Sequence, residues 1–202
     1  MKYIVSTILL GLFFTTMSCG GSNKKFVEGS LNENTYTSKE VGWTIDVPEG
    51  WEIINRLENA TAKDIEEMKA LGNTNVSGLK YLIGFRKDQL NTFQSTTEPF
   101  NPEAGVTWDE NNAKLRALTY DAFVEQKVKI DTASTKEKID GLEFDVFVIK
   151  AYSNADNKIM FIQEMYSREI NGLYFGINIS YNSKELRKTM FNALKNSKFN
   201  KN

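Results

Sequence analysis

The stretch DGLEFDVFVIKAYSNADNKIMFIQEMYSREINGLYFGINISY, residues 140–181, decides the fold. It contains Asp140-Gly141 and Asn171-Gly172, which are dipeptides favoured by two-residue hairpin turns because both central residues take positive φ. The strands that these turns separate are predicted over 128–138, 142–152, 158–170 and 173–181. The sequence therefore predicts an antiparallel meander of four strands.

Apolar side chains occupy both faces of the second strand of this meander. Phe144 and Val146 point to one side, whereas Phe147 and Ile149 point to the other. A sheet that is buried on both faces needs a layer above it and a layer below it. We therefore expect helices to cover the sheet.

Three segments carry helix signals. Thr107–Glu110 has the Thr-x-x-Glu pattern of a capping box, which predicts a helix from this point onward. Residues 61–71 have helical spacing and stop at Gly72, and a last helix is predicted to begin at Asn182 or Ser183. The predicted fold class is α+β, an antiparallel sheet meander flanked by helices.

The N-terminal residues have the pattern of a bacterial lipoprotein export signal. Lys2 precedes an apolar run over 3–14, which is shorter than the ~20 apolar residues of a membrane-spanning helix. Cys19, the single cysteine of the chain, closes the signal and is the predicted lipidation (palmitate) site. An ordinary secretory signal with a chance cysteine is the alternative. The predicted divisions are a signal peptide over 1–18, a flexible tether over 19–34 and a single α+β domain over 35–202.

The residue types that the chain lacks restrict its chemistry. It has no histidine among 202 residues, and its net charge is −1. Imidazole bases, Ser-His-Asp triads and imidazole metal ligands are therefore excluded, and no basic cluster for nucleic acid is evident. Acid–base catalysis by two carboxylates stays open. We predict no cofactor and no nucleic-acid partner, and we assign no catalytic residue and no metal ligand.

Residues 88–106 form the longest stretch without a strong regular pattern. Long loops in compact domains often bind partners, and this one carries Phe93 and Phe100 and leads to Trp108. These three aromatic residues are the candidate partner-binding site. Two alternatives are that Phe93 and Phe100 fold inward as core residues, and that the segment over 91–95 is an edge strand.

A family resemblance lies in the segment over 42–51, GWTIDVPEGW. A Gly-aromatic strand that runs into Pro-x-x-Trp resembles the N-terminal segment of PsbP-like domains, which include bacterial lipoproteins of the DcrB type. The resemblance implies an α/β/α sandwich around an antiparallel sheet, used as a binding or accessory module. It carries over no functional residue, since the matching positions are core and turn positions.

Two classes of function follow from these patterns. The first is a membrane-anchored lipoprotein whose non-catalytic domain binds or assists another protein of the cell envelope. Gly20 rather than Asp follows Cys19, so we expect the outer membrane. Residues 22–25 (SNKK) lack the acidic cluster associated with surface display, so we expect a domain that faces the periplasm. The alternative is a small-molecule binder or a carboxylate-based hydrolase with a pocket under the 88–106 loop.

Overall fold

A computed structural model describes residues 26, 28–54, 78–102 and 105–200. The helix predicted over 61–71 and the lipidation site Cys19 lie outside these residues. The strands are β1 (Ser30–Asn32), β2 (Thr35–Ser38), β3 (Trp43–Asp46), β4 (Glu52–Ile54), β5 (Lys80–Arg86), β6 (Thr92–Pro99), β7 (Lys129–Ile139), β8 (Leu142–Tyr152), β9 (Ile159–Ile170), β10 (Leu173–Tyr181) and β11 (Lys198–Phe199). The helices are α1 (Trp108–Glu125) and α2 (Lys184–Asn196).

The larger sheet has the strand order β4-β5-β6-β10-β9-β8-β7, and its neighbouring strands pair antiparallel. The predicted meander is confirmed as β7 to β10. Both predicted turns have positive φ at their two central residues, 46° and 86° at Asp140-Gly141 and 55° and 74° at Asn171-Gly172. Local turn chemistry therefore sets the register of the two hairpins.

Gly172→Val is expected to lower the free energy of unfolding by ~1 kcal/mol or more, because a β-branched residue resists positive φ. A Cβ at Gly172 meets no atom within 4 Å, so the cost arises from the backbone alone. Urea unfolding measures the change, with Gly172→Asn as the control that tolerates this conformation. Equal stabilities for the valine variant and the unmodified protein would contradict the turn assignment.

The second sheet, β1-β2-β3-β11, packs with α2 on one face of the larger sheet. Trp43 lies at the centre of this core with no exposed surface. Its ring contacts Phe175 and Phe199 at centroid distances of 5.1 and 6.3 Å, and its Nε1–H donates to Ser197 Oγ at 2.9 Å. The chain end returns to this layer, since β11 pairs with β3.

Helix α1 covers the opposite face of the larger sheet, where Trp108 and Asn112 bind Asp145 of β8. The layers are therefore α1, the larger sheet, and a third layer shared by α2 and the smaller sheet. The predicted α+β class with helices on both sides is confirmed, and the capping box at Thr107 is present. Within the described residues, no helix combines the length and the apolar composition needed to cross a membrane.

The tether predicted over 19–34 is wrong in its last part. Ser30–Asn32 form β1, which pairs with β2. The Glu28 side chain is buried, and its Oε1 accepts the backbone N–H groups of Lys39 and Glu40 at 2.8 and 3.1 Å. The ordered domain therefore begins before residue 35. The buried Glu28 carboxylate and the pairing of β1 with β2 hold a segment whose polar composition is typical of a linker.

The irregular loop predicted over 88–106 is also wrong over most of its length. Thr92–Pro99 form β6, which lies between β5 and β10 and is not an edge strand. The inward positions after Phe93 are Ser95 and Thr97, both buried. Ser95 Oγ donates to the Ile83 carbonyl at 2.8 Å, so this buried hydroxyl has a hydrogen-bond partner. Because these inward residues carry hydroxyl groups, the sequence does not show the alternation of apolar and polar residues that identifies a strand.

Candidate ligand cavity beneath helix α1

A cavity of about 270 Å³ lies between α1 and the sheet face that this helix covers. Its apolar walls come from the sheet and from the helix: Leu79, Phe147 and Met165 on the sheet side and Leu115 on α1. Polar side chains, among them Gln94, Arg116 and Asn178, line the remainder. The mixture of apolar walls and a few polar groups is typical of small-molecule sites.

The N-terminal end of α1 is fixed to the sheet by hydrogen bonds. Trp108 Nε1–H donates to Asp145 Oδ2 at 2.7 Å, and Asn112 Nδ2 donates to the same oxygen at 3.2 Å. The capping box adds Thr107 N–H donating to Glu110 Oε2 at 2.8 Å. This end of the helix is therefore held in one position.

The C-terminal end of α1 is held by packing, since the Phe123 and Phe161 rings have centroids 6.3 Å apart. Between the two ends, small residues line the cavity: Thr96 and Gly176 on the sheet, and Thr119 on α1. Because the helix is fixed at both ends and the facing side chains are short, the space between helix and sheet stays unfilled.

A buried polar group closes one end of the cavity. Asn112 is 3% exposed, and its Oδ1 accepts from Ser167 Oγ at 3.4 Å and from Tyr174 OH at 3.3 Å. Burial is the main effect that raises the pKa of Tyr174, with Glu98 adding to the rise and Arg116 opposing it. Tyr174 therefore remains a protonated hydroxyl at neutral pH.

Asn178 presents a buried acceptor without a donor. Among the described residues no group donates to its Oδ1, which is shielded from solvent. A buried polar atom without a partner costs about 1–3 kcal/mol, and native structures contain few of them. Thr97 Oγ1 is a second such atom, but Thr97 lies on the core face of β6 and Asn178 lines the cavity.

Two charged residues lie at or near this cavity. Arg116 of α1 lines it, and no carboxylate among the described residues forms an ion pair with this guanidinium. Glu98 points from β6 to the same side of the sheet as Thr96, and burial raises its pKa. Among the described residues that line the cavity, Arg116 is the one with a charged side chain.

The structure separates the three aromatic residues predicted as a partner-binding site. Phe93 has no exposed surface and stacks on Phe85 at 4.4 Å and on Trp43 at 6.5 Å, on the core face of the sheet. It is a core residue, as the alternative interpretation expected. A partner cannot reach it without unfolding the domain.

Phe100 and Trp108 do come together, with ring centroids 5.2 Å apart at the N-terminal end of α1. The Trp108 ring also packs on Tyr174 at 5.2 Å. Both residues are partly buried. Their contacts support the position of α1 above the cavity, and their role in binding a partner stays a prediction.

The sequence interpretation missed Asn112, Asp145, Gly176 and Asn178. Tyr174, Gly176 and Asn178 alternate with the core residues of β10, so their small or polar character reads as a solvent-facing side. Asn112 offered the one available signal, because asparagine is unfavourable inside a helix unless its amide is bound.

Two asparagine side chains in the turn between β8 and β9 form hydrogen bonds within the protein. Asn157 Oδ1 accepts Lys129 Nζ–H at 2.7 Å, and Asn154 Nδ2 donates to the Lys127 carbonyl at 2.9 Å, as in a hairpin loop. Within the part of the chain that the structure describes, no three His, Cys, Asp or Glu residues lie close enough together to hold a metal ion.

Comparison with known proteins gives a likeness of fold. No family model matches the chain, and no curated protein sequence matches it. Among solved structures, it is similar to the solution structure of cyanobacterial PsbP (CyanoP) from Synechocystis sp. PCC 6803, with a TM-score of 0.54 and 10% sequence identity. The match covers 91% of this chain and 98% of that chain. At this identity the likeness concerns the fold alone, and it confirms the resemblance found in the sequence: the chain has a PsbP-like fold.

Proposed function

We propose that this protein is a membrane-anchored lipoprotein of the cell envelope whose non-catalytic domain binds a small molecule in the cavity beneath α1. The observation that supports binding is the cavity itself, about 270 Å³ in volume, with apolar walls and a few polar side chains. The export signal that ends at Cys19 supports the anchor. Gly20 favours the outer membrane, with the domain facing the periplasm.

Cys19→Ser is expected to abolish acyl labelling and to move the protein from the membrane fraction to the soluble fraction. The reason is that a single thioether-linked lipid site is removed, while every residue of the domain is kept. Labelling with an alkyne analogue of palmitate, followed by fractionation, measures both effects. Ser22→Ala, three residues away, is the control, and membrane retention of the Cys19 variant would contradict the anchor.

The non-catalytic assignment rests on the hydrogen bonds of two carboxylates, Asp145 and Glu164. Asp145 accepts hydrogen bonds from Trp108 and Asn112, which hold α1. Glu164 accepts from the Arg187 guanidinium on the other face of the sheet. Both carboxylates are thus used to join structural elements, and we assign no hydrolytic role to them.

Gly176→Val is expected to abolish binding of naphthalene, a neutral ten-carbon probe, by filling the cavity. The glycine has an ordinary φ, and an added Cβ meets Thr96 Oγ1 at 3.3 Å and Tyr174 Cε1 at 3.6 Å, so the side chain enters the cavity with a small shift of Thr96. Methyl NMR shifts of Leu79, Leu115 and Met165 report the binding, measured on the full chain carrying Cys19→Ser.

The control for this experiment is Ala133→Val, which adds methyl groups to the exposed outer strand β7. It is expected to leave naphthalene binding unchanged. Absence of any methyl shift in the unmodified domain at saturating naphthalene would contradict the proposed binding function.

A protein partner in the envelope is a second candidate function. Leu118, Tyr120 and Val124 of α1 are 46, 44 and 50% exposed, which is high for large apolar side chains on one helix. Affinity purification of the lipidated protein from detergent-solubilised envelopes, compared with a Leu118→Ser/Val124→Ser variant, tests this candidate. A partner that both forms retain equally would contradict a role for this surface.

A further inference from the structure

We infer that the cavity beneath α1 takes an amphipathic anion, with its head group at Arg116 and an acyl-type body between Leu115 and Met165. This inference rests on the proposed binding function and specifies the chemical class of the ligand. Two independent features of the cavity lead to it: its volume and its charge.

The volume sets the size of the apolar body. An apolar protein cavity of ~150 Å³ holds benzene, which has six carbon atoms. A cavity of about 270 Å³ therefore suits a molecule of roughly ten to twelve non-hydrogen atoms. Its apolar side chains are aliphatic, thioether and aromatic, so they accept a flexible chain without demanding a planar ring.

The charge of the cavity sets the head group. Arg116 is a permanent cation whose planar fork matches a carboxylate or a phosphate in two parallel hydrogen bonds. Among the described residues no carboxylate forms an ion pair with it. Glu98, on this face of the sheet, is half-buried, and burial raises its pKa. A ligand anion supplies the missing partner.

The test compares two probes of matched length, octanoate and 1-octanol. Binding is measured by methyl NMR titration of the full chain carrying Cys19→Ser. Octanoate is expected to bind at least tenfold more tightly than 1-octanol, since a hydrogen bond between two charged groups is stronger than a neutral one.

Substitutions on α1 assign this difference to Arg116. Arg116→Gln is expected to remove the preference for octanoate over 1-octanol, Arg116→Lys to keep most of it, and Lys114→Gln on the exposed side of α1 to leave it unchanged. Matching chemical shifts outside the cavity establish that each variant is folded.

The outcomes separate the ligand class from the binding function. Equal affinities for octanoate and 1-octanol, with naphthalene still bound, would overturn the anionic ligand while leaving the cavity as a binding site. A preference for octanoate that persists in Arg116→Gln would overturn the role of Arg116. Failure of naphthalene and of both eight-carbon probes to shift any cavity methyl would overturn the proposed function together with this inference.

Discussion

Phe93→Ala is expected to lower the free energy of unfolding by about 3–5 kcal/mol, the range found for truncating a buried phenylalanine. The Phe93 ring has no exposed surface and lies parallel to Phe85, with an interplanar angle of 4° and a centroid distance of 4.4 Å. Strand β6 is bonded on both sides, to β5 and β10, so the backbone cannot move inward to fill the space. Urea unfolding followed by circular dichroism measures the change.

Phe100→Ala is the control for this experiment. Phe100 is only partly buried and contacts Trp108 at the end of α1, outside the main core. Its truncation is expected to cost clearly less than that of Phe93. Comparable and small losses for both variants would contradict the placement of Phe93 and would restore the interpretation of both rings as an exposed binding surface.

Glu164→Gln is expected to lower the free energy of unfolding by about 2–3 kcal/mol. Glu164 is 6% exposed and accepts from Tyr166 OH at 2.6 Å and from Tyr181 OH at 2.8 Å. Arg187 donates to both carboxylate oxygens at 3.1 Å, which joins α2 to the sheet. Breaking a fully buried pair costs ~3–5 kcal/mol, and the partial exposure of Arg187 places this pair below that range.

The two tyrosines remain donors over the whole physiological pH range. Burial, with Glu164 adding to it, raises the pKa of Tyr181 to about 12 and moves the pKa of Tyr166 in the same direction. In the glutamine variant these hydroxyls lose a charged acceptor, and the guanidinium, stacked on Phe191 at 4.3 Å, loses its counter-charge. The destabilisation is therefore a property of the whole cluster.

Glu143→Gln provides the matched control, since Glu143 pairs with Lys136 at 2.7 Å and the two side chains are 61 and 63% exposed. Exposed ion pairs contribute little, so its loss is expected to change stability by less than ~1 kcal/mol. Chemical denaturation of both variants under the same conditions makes the comparison. A Glu164 variant as stable as the Glu143 variant would contradict the buried cluster.

Several parts of the fold follow from the sequence because their signals are local. The dipeptides Asp140-Gly141 and Asn171-Gly172 specify turns whose φ values the chain can adopt without help from distant residues. The capping box at Thr107 likewise involves only the first turn of its own helix. Four strands and the start of α1 were predicted correctly for this reason, and the α+β class follows from them.

Burial created by distant partners could be seen only in the tertiary structure. Glu28 is fixed by the backbone of residues 39 and 40, and Ser95 by Ile83, so neither polar residue signals its burial in the sequence. The outward face of β10 has the polar pattern of a solvated surface, and only the docking of α1 on Asp145 turns it into the wall of a cavity. Sequence patterns report the period of a strand and the chemistry of a turn, whereas the element that covers a face is set by contacts between residues far apart in the chain.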